Sequence, residues 1–233
     1  MRLAKYLAMT GLCSRRAATR LIRDGRISIN GRVANHIDCV TIAPDKQHCE
    51  QDLLCDGKPV AAIESLHYYA FNKPVGVDSR LLADNPASLL HFLPQSPRLY
   101  PVGRLDKDSH GLMLLTNDGE LTQRLMHPDF AHKKHYVVEV ERPFDEQFCT
   151  QMSQGISYKN VTTLPCQVAA ISETRFNICL TQGLNRQIRR MCQALGYQVI
   201  DLKRVAIESL QLADLPPGEM RPLTATEIAA LKG

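Results

Sequence analysis

The first 33 residues leave this chain little room for any fold but two short helices followed by a hairpin. Leu3, Tyr6 and Leu7 recur at helical spacing, and Gly11 stands where such a helix ends. Ser14 is placed to cap a second helix that carries Ala17, Ala18, Leu21 and Ile22 on one face and stops at Gly25. Ile27 and Ile29 then alternate with polar residues into Asn30-Gly31, a pair suited to a tight hairpin turn, and Arg32-Val33 start the return strand. Arg16, Arg20 and Arg23 lie at i, i+4 and i+7 opposite the apolar face, where they repel one another unless an anion intervenes.

That repulsion is part of a wider asymmetry. Residues 1–35 hold eight basic side chains (Arg2, Lys5, Arg15, Arg16, Arg20, Arg23, Arg26, Arg32) against Asp24 alone, a net +7; the whole chain is only +4, which leaves the rest at −3. A merely solvated face mixes both signs, whereas a segment of one sign points to a polyanion partner. No stretch approaches the ~18 apolar residues of a membrane span. The N-terminal apolar run is broken by Lys5 and Thr10 and leads into Ser14-Arg15-Arg16, so no export signal is read and a cytoplasmic protein is expected. Eight cysteines, at 13, 39, 49, 55, 149, 166, 179 and 192, form no C-x-x-C pair and are read as reduced thiols. The group His36, Cys39, His48, Cys49 and Cys55 matches no common zinc spacing, so no metal site is expected.

The run RLAKYLAMTGLCSRRAATRLIRDGRISINGRV resembles the S4 RNA-binding domain. The resemblance implies an RNA-binding module over residues 1–62, with Arg2, Lys5, Ser14, Arg15, Arg16 and Arg20 as its RNA contacts. Such a module grips phosphates without reading bases.

Asp56 to Leu66, with Gly57 and Pro59, reads as the joint to a larger domain over residues 63–233. Strand-like runs follow at His67–Asn72, Leu112–Thr116, Tyr136–Glu141, Cys166–Ala170, Phe176–Thr181, Gln198–Leu202 and Ile207–Leu212. Helices are predicted at Glu120–Met126, Phe144–Met152, Asn185–Leu195 and Ala225–Leu231, the last with Thr224 and Glu227 spaced as a capping box. Strands outnumber helices without alternating regularly with them, which predicts an α+β domain with a mostly antiparallel sheet flanked by helices.

Three places gather chemistry. Gly103-Arg104-Leu105-Asp106 puts a cation beside a carboxylate after a short strand. Lys133-Lys134-His135-Tyr136 heads another strand. In Asn185-Arg186-Gln187-Ile188-Arg189-Arg190-Met191-Cys192, Ile188, Met191, Cys192 and Leu195 form an apolar stripe, and Arg186, Arg189 and Arg190 share another face near the helix N-terminus.

The segments FNKPVGV, PVGRLDKDSHGLMLLTNDGEL, KKHYVVEVE, LTQGLNRQIRRMCQALGYQV and LPPGEMRPLT occur in the order seen in the RsuA branch of pseudouridine synthases, and GRLDKDS-GL with LTQGLNRQIRRMC looks most like that branch's large-subunit members. The resemblance implies isomerisation of a uridine in ribosomal RNA, most similar to the 23S enzymes, by a monomer that uses no cofactor, nucleotide or metal. Asp106 is then the catalytic carboxylate, Arg189 the cation that keeps it ionised, and Tyr136 a catalytic neighbour. Arg104 would fill the space left by the flipped base, with Ile188, Arg186 and Lys134 as further substrate contacts. Two rivals share parts of this pattern: an S4-bearing assembly factor without catalysis, and a nucleic-acid glycosidase needing Asp108 as a second carboxylate. The same reaction on 16S or transfer RNA fits the same motifs.

Overall fold

A computed structural model describes Met1–Gly233, the side chain of Pro128 excepted. The chain divides into two units, Met1–His67 with Pro94–Leu99, and Tyr68–Leu93 with Tyr100–Gly233.

In the first unit, α1 (Leu3–Met9) ends before Gly11, whose φ of 76° suits a residue without Cβ. The Ser14 hydroxyl accepts the Ala17 amide at 3.2 Å and opens α2 (Arg15–Arg23). Asn30 and Gly31, both at positive φ, turn β1 (Ile27–Ile29) into β2 (Arg32–Val33). Leu3, Leu7, Ala18, Ile22 and Ile27 close one core between helices and sheet, each large side chain contributing about 1.5–3 kcal/mol by burial.

The expected joint is more structured than its composition suggested. Asp56-Gly57, again both at positive φ, is the turn of a second hairpin from β3 (Leu53–Cys55) to β4 (Lys58–Pro59), and the four strands run in the order β2-β1-β3-β4. Asp-Gly supplies the two left-handed residues that such a turn requires. Pro94–Leu99 joins this unit because the Arg98 amide donates to both Glu64 carboxylate oxygens at 3.2 Å, a long-range bond that no local pattern announces.

The second unit is built on β5 (Tyr68–Lys73), β6 (Tyr100–Pro101), β7 (His110–Thr116), α3 (Gly119–Met126), β8 (Lys134–Val140), α4 (Glu146–Gln154), the small hairpin β9 (Ser157–Tyr158) and β10 (Val161–Thr162), β11 (Gln167–Ala170), β12 (Arg175–Leu180), α5 (Gln187–Ala194), β13 (Val199–Ile207), β14 (Leu210–Gln211), β15 (Met220–Pro222) and α6 (Ala225–Lys232). Its nine-stranded sheet follows β11-β12-β8-β13-β7-β5-β15, with β14 on β13 and β6 on β7, and only β13 with β7 is parallel among the described pairings. The α+β architecture is therefore as the strand pattern indicated. The two strands expected over 198–202 and 207–212 are instead one nine-residue strand, β13, followed by the short β14. Register shifts at Val199/Asp201 and Arg204/Ala206 interrupt the alternation that pattern reading relies on.

Period-two alternation on β7 positions the site. Leu112 and Leu114 face a cluster with Leu121, Leu125 and Leu231 of α3 and α6, while Met113 and Leu115 face one with Phe71 and Leu105. A further cluster packs α4 and α5, through Phe148, Met152, Ile188 and Met191, on Val138 of β8.

Candidate active site

Asp106 stands on the loop from β6 to β7, and that loop is tied at several points. The Ser79 hydroxyl donates to the Leu105 carbonyl at 2.6 Å and accepts from the Leu105 amide at 3.1 Å, so both backbone polar groups of the preceding residue are fixed. The Ser109 amide closes a turn on the Asp106 carbonyl at 3.1 Å, and the Gly76 amide holds the Lys107 carbonyl at 2.7 Å. Gly111 has a φ of 103°, and a Cβ there would sit 2.2 Å from the Arg204 carbonyl oxygen, so only glycine lets β7 meet β13 at this point. With its backbone held, Asp106 keeps a side chain 33% exposed, reachable yet not free in water.

The arginines of α5 surround this loop. Arg186 caps the helix in the left-handed region (φ 51°) and forks onto Asp108 with bonds of 2.9 and 2.7 Å. This bidentate contact holds the Asp108 carboxyl below the usual range and raises Arg186 in turn. The guanidinium within ion-pair distance of Asp106 is also that of Arg186, at 3.8 Å. Arg189 was the expected partner, and the structure places it differently. It donates to the carbonyls of Val199 (3.0 Å) and Asp108 (2.7 Å) and to the Ser109 hydroxyl (3.3 Å), with its Nε 3.4 Å from the Asp108 carboxylate. Its two terminal nitrogens are committed to Val199 and to the Asp108-Ser109 turn, while its buried Nε has no hydrogen-bond partner among the described residues, an arrangement that sequence spacing alone cannot foresee. Arg190 bonds to Asn185 instead, at 2.8 Å.

Tyr136 packs against both the cluster that contains Leu105, next to Asp106 in the chain, and the cluster that contains Ile188. Ile188 itself is only 4% exposed and belongs mainly to the core. Lys134 is half-buried at the head of β8, its ammonium donating to the His132 carbonyl at 3.1 Å, and burial lowers its pKa. Arg104 is exposed, with no hydrogen bond or ion pair recorded among the described residues.

Sequence reading missed Lys73. It is fully buried at the end of β5, bonded to the Pro74 and Val77 carbonyls at 2.9 and 2.8 Å. Burial pushes its pKa down to about 8 against the opposing pull of Asp108, Asp106 and Asp78. A lysine closing an apolar strand looks like a surface residue until the sheet covers it; only its place in the FNKPVGV segment marked it.

In the N-terminal unit the basic residues divide in use. Arg23, Arg26 and Arg32 pair with Asp24, Asp56 and Asp38. Arg2 donates to the Ile37 carbonyl at 2.9 Å, Lys5 is half-buried, and Ser14 serves as the helix cap. Arg15, Arg16 and Arg20 are exposed, without an ion pair among the described residues. Among those residues no group of three or more His, Cys, Asp or Glu could hold a metal, and no helix is long and apolar enough to cross a membrane.

Comparison with known proteins gives the site its context. Residues 67–194 match the RNA pseudouridylate synthase family and residues 1–37 the S4 domain. The dual-specificity RNA pseudouridine synthase RluF of Escherichia coli K12 is 40% identical over 231 residues, 99% of this chain and 78% of that protein. The ribosomal small subunit pseudouridine synthase A of the same strain is 35% identical over 237 residues, 99% of this chain and all of its own length. A crystal structure of a pseudouridylate synthase superposes with a TM-score of 0.71 at 30% identity, covering 99% of both chains. With these similarities running through both units and through the loop that carries Asp106, the chain belongs to the RNA pseudouridylate synthase family, as an isomerase with an S4 domain at its N-terminus.

Proposed function

We propose that this enzyme isomerises a uridine of large-subunit ribosomal RNA and that Asp106 is its catalytic carboxylate. The reaction breaks the N1–C1′ bond, turns the uracil and joins C5 to C1′; the proton lost from C5 is matched by one gained at N1, so no atom is added overall. Attack on C1′, addition to the uracil ring and removal of the C2′ proton each require an ionised carboxylate. The observation that carries the reading is the setting of Asp106: the preceding residue Leu105 clamped by Ser79, its own carbonyl closed on the Ser109 amide, its side chain partly open, and the Arg186 guanidinium 3.8 Å from its carboxylate.

Asp108 is unsuited to the second-carboxylate role of a glycosidase, because Arg186 and Arg189 occupy it and hold it ionised. Arg189 then acts as a positioning residue for the Asp108-Ser109 turn, and Arg186 as the cation nearest the reacting carboxylate. A paired uridine hides C1′ and C5, so it must leave its stack; the exposed Arg104 is available to take its place, with Tyr136 and the edge of Ile188 lining the receiving pocket and Lys134 beside it. Arg15, Arg16 and Arg20 hold phosphates through the S4 unit, with Arg2, Lys5 and Ser14 shaping that surface. The protein acts in the cytoplasm as a monomer, domains 1–62 and 63–233 dividing docking from chemistry.

The test is pseudouridine mapping in total RNA from cells with the protein, without it, and with Asp106→Ala in its place. Loss of the same large-subunit site in the last two, with RNA affinity retained by the variant, is the expected result. A lost site in small-subunit or transfer RNA would move the target; full modification by the variant would sink the Asp106 assignment.

A further inference from the structure

The segment between α3 and β8 exposes a ring that neither the core nor the chemistry above accounts for. Phe130 is 56% exposed, the most exposed phenylalanine among the described residues. A single apolar side chain in water is ordinary, but this one is held in place. Its ring stacks on His132 (centroids 5.9 Å apart, planes at 24°) and meets His127 edge-on (5.8 Å, 72°). His132 is itself fixed, its Nδ1 3.1 Å from a Glu208 carboxylate oxygen that also accepts the Lys133 amide at 2.5 Å, and the Glu208 amide returns a bond to the Lys133 carbonyl at 2.9 Å.

Both ends of the segment border the catalytic residues. Met126, which closes α3, lies so near Gly103 that a Cβ there would be 2.9 Å from its sulfur, and Gly103 opens the stretch that ends in Asp106. At the other end the segment runs through the exposed Lys133 into β8, which carries Tyr136. A preorganised aromatic face beside a lysine suits an unstacked base of RNA, because every base offers a π face whatever its sequence. Flipping a uridine leaves its neighbours short of a stacking partner. We infer that Phe130 is the platform on which a base flanking the target uridine stacks, so that the α3–β8 segment is a second RNA contact of the catalytic unit. The inference rests on the reading that Asp106 marks the reaction centre.

The chain contains no tryptophan, so Phe130→Trp installs a single fluorescent reporter that also conserves the stacking face. A transcript spanning the mapped uridine should quench its emission and leave kcat/KM within about twofold of the parent. Phe130→Ala should raise KM by about five- to hundredfold, the range set by loss of one base–aromatic stack, with kcat nearly unchanged and melting temperature retained. An unchanged KM in the alanine variant, or tryptophan emission unmoved by a transcript that binds, overturns the inference. Combining Phe130→Trp with Asp106→Asn separates it from the catalytic reading: quenching without turnover supports both, whereas turnover that survives indicts Asp106 alone.

Discussion

Arginine does opposite work in the two units. On α2, Arg15, Arg16 and Arg20 stand in solvent with no recorded ion pair among the described residues, so their charge is available to a partner. On and beside α5, Arg186 and Arg189 are committed to Asp108, to the backbone of the Asp106–Ser109 turn and to Val199. Free guanidinium gives affinity that any phosphate can use; committed guanidinium gives geometry that one substrate needs. Substitutions in the first set should therefore act on binding and its salt dependence, and those in the second on turnover.

The largest expected effect is at Asp106, the proposed reacting carboxylate, which lies beside the turn those arginines hold. Asp106→Asn should lower kcat on the order of 10⁴-fold or more while leaving RNA affinity near the parent's, since removing a group that reacts costs far more than removing one that orients. Single-turnover assays beside filter binding would check it. Arg189→Ala should come next, lowering kcat by about a hundredfold as the Asp108-Ser109 turn shifts, a magnitude typical of a misplacement near 1 Å. An effect confined to KM would erase the distinction between the two sets.

On the other side, Arg15→Ala, Arg16→Ala and Arg20→Ala combined should raise the RNA dissociation constant roughly ten- to hundredfold at low salt. The slope of log K against log salt should flatten by about two to three. Maximal turnover at saturating RNA should not move. A fall in kcat would mean that the docking unit also shapes the chemistry.

The smallest effect tests whether every committed arginine in the larger unit matters to catalysis. Arg221 forks onto Glu227 at 2.9 and 2.6 Å, inside the capping box of α6. The Arg221 bond, chiefly, holds the Glu227 carboxyl down at about 2. Its unfolded value is higher, so the stabilisation is present at neutral pH and is lost as pH falls from about 4.5 toward 2. Glu227→Ala should cost about 1 kcal/mol, flatten the melting temperature across that window, and leave kcat and KM untouched.

Some of this was legible without coordinates because local chemistry decided it. Asn30-Gly31 specifies a hairpin, Ser14 a helix start, and Thr224 with Glu227 a capping box; each forms as read. The same local rule applies at Asp56-Gly57, where Pro59 close behind gives the segment the composition of a linker although it forms a hairpin. Lys73, the bulged course of β13 and the attachment of Pro94–Leu99 to the first unit were out of reach of any local rule.

The sequence by itself determined the family, the two helices and hairpin at the start, the α+β character of the remainder and the group of residues around Asp106, because capping, turn chemistry, periodicity and motif order are properties of neighbours along the chain. Only the tertiary structure decided which arginine faces Asp106, which lysine is buried at the end of β5 and which aromatic ring stays outside. Those outcomes depend on side chains brought together from distant segments, where a difference of one ångström in backbone position settles which donor reaches which acceptor.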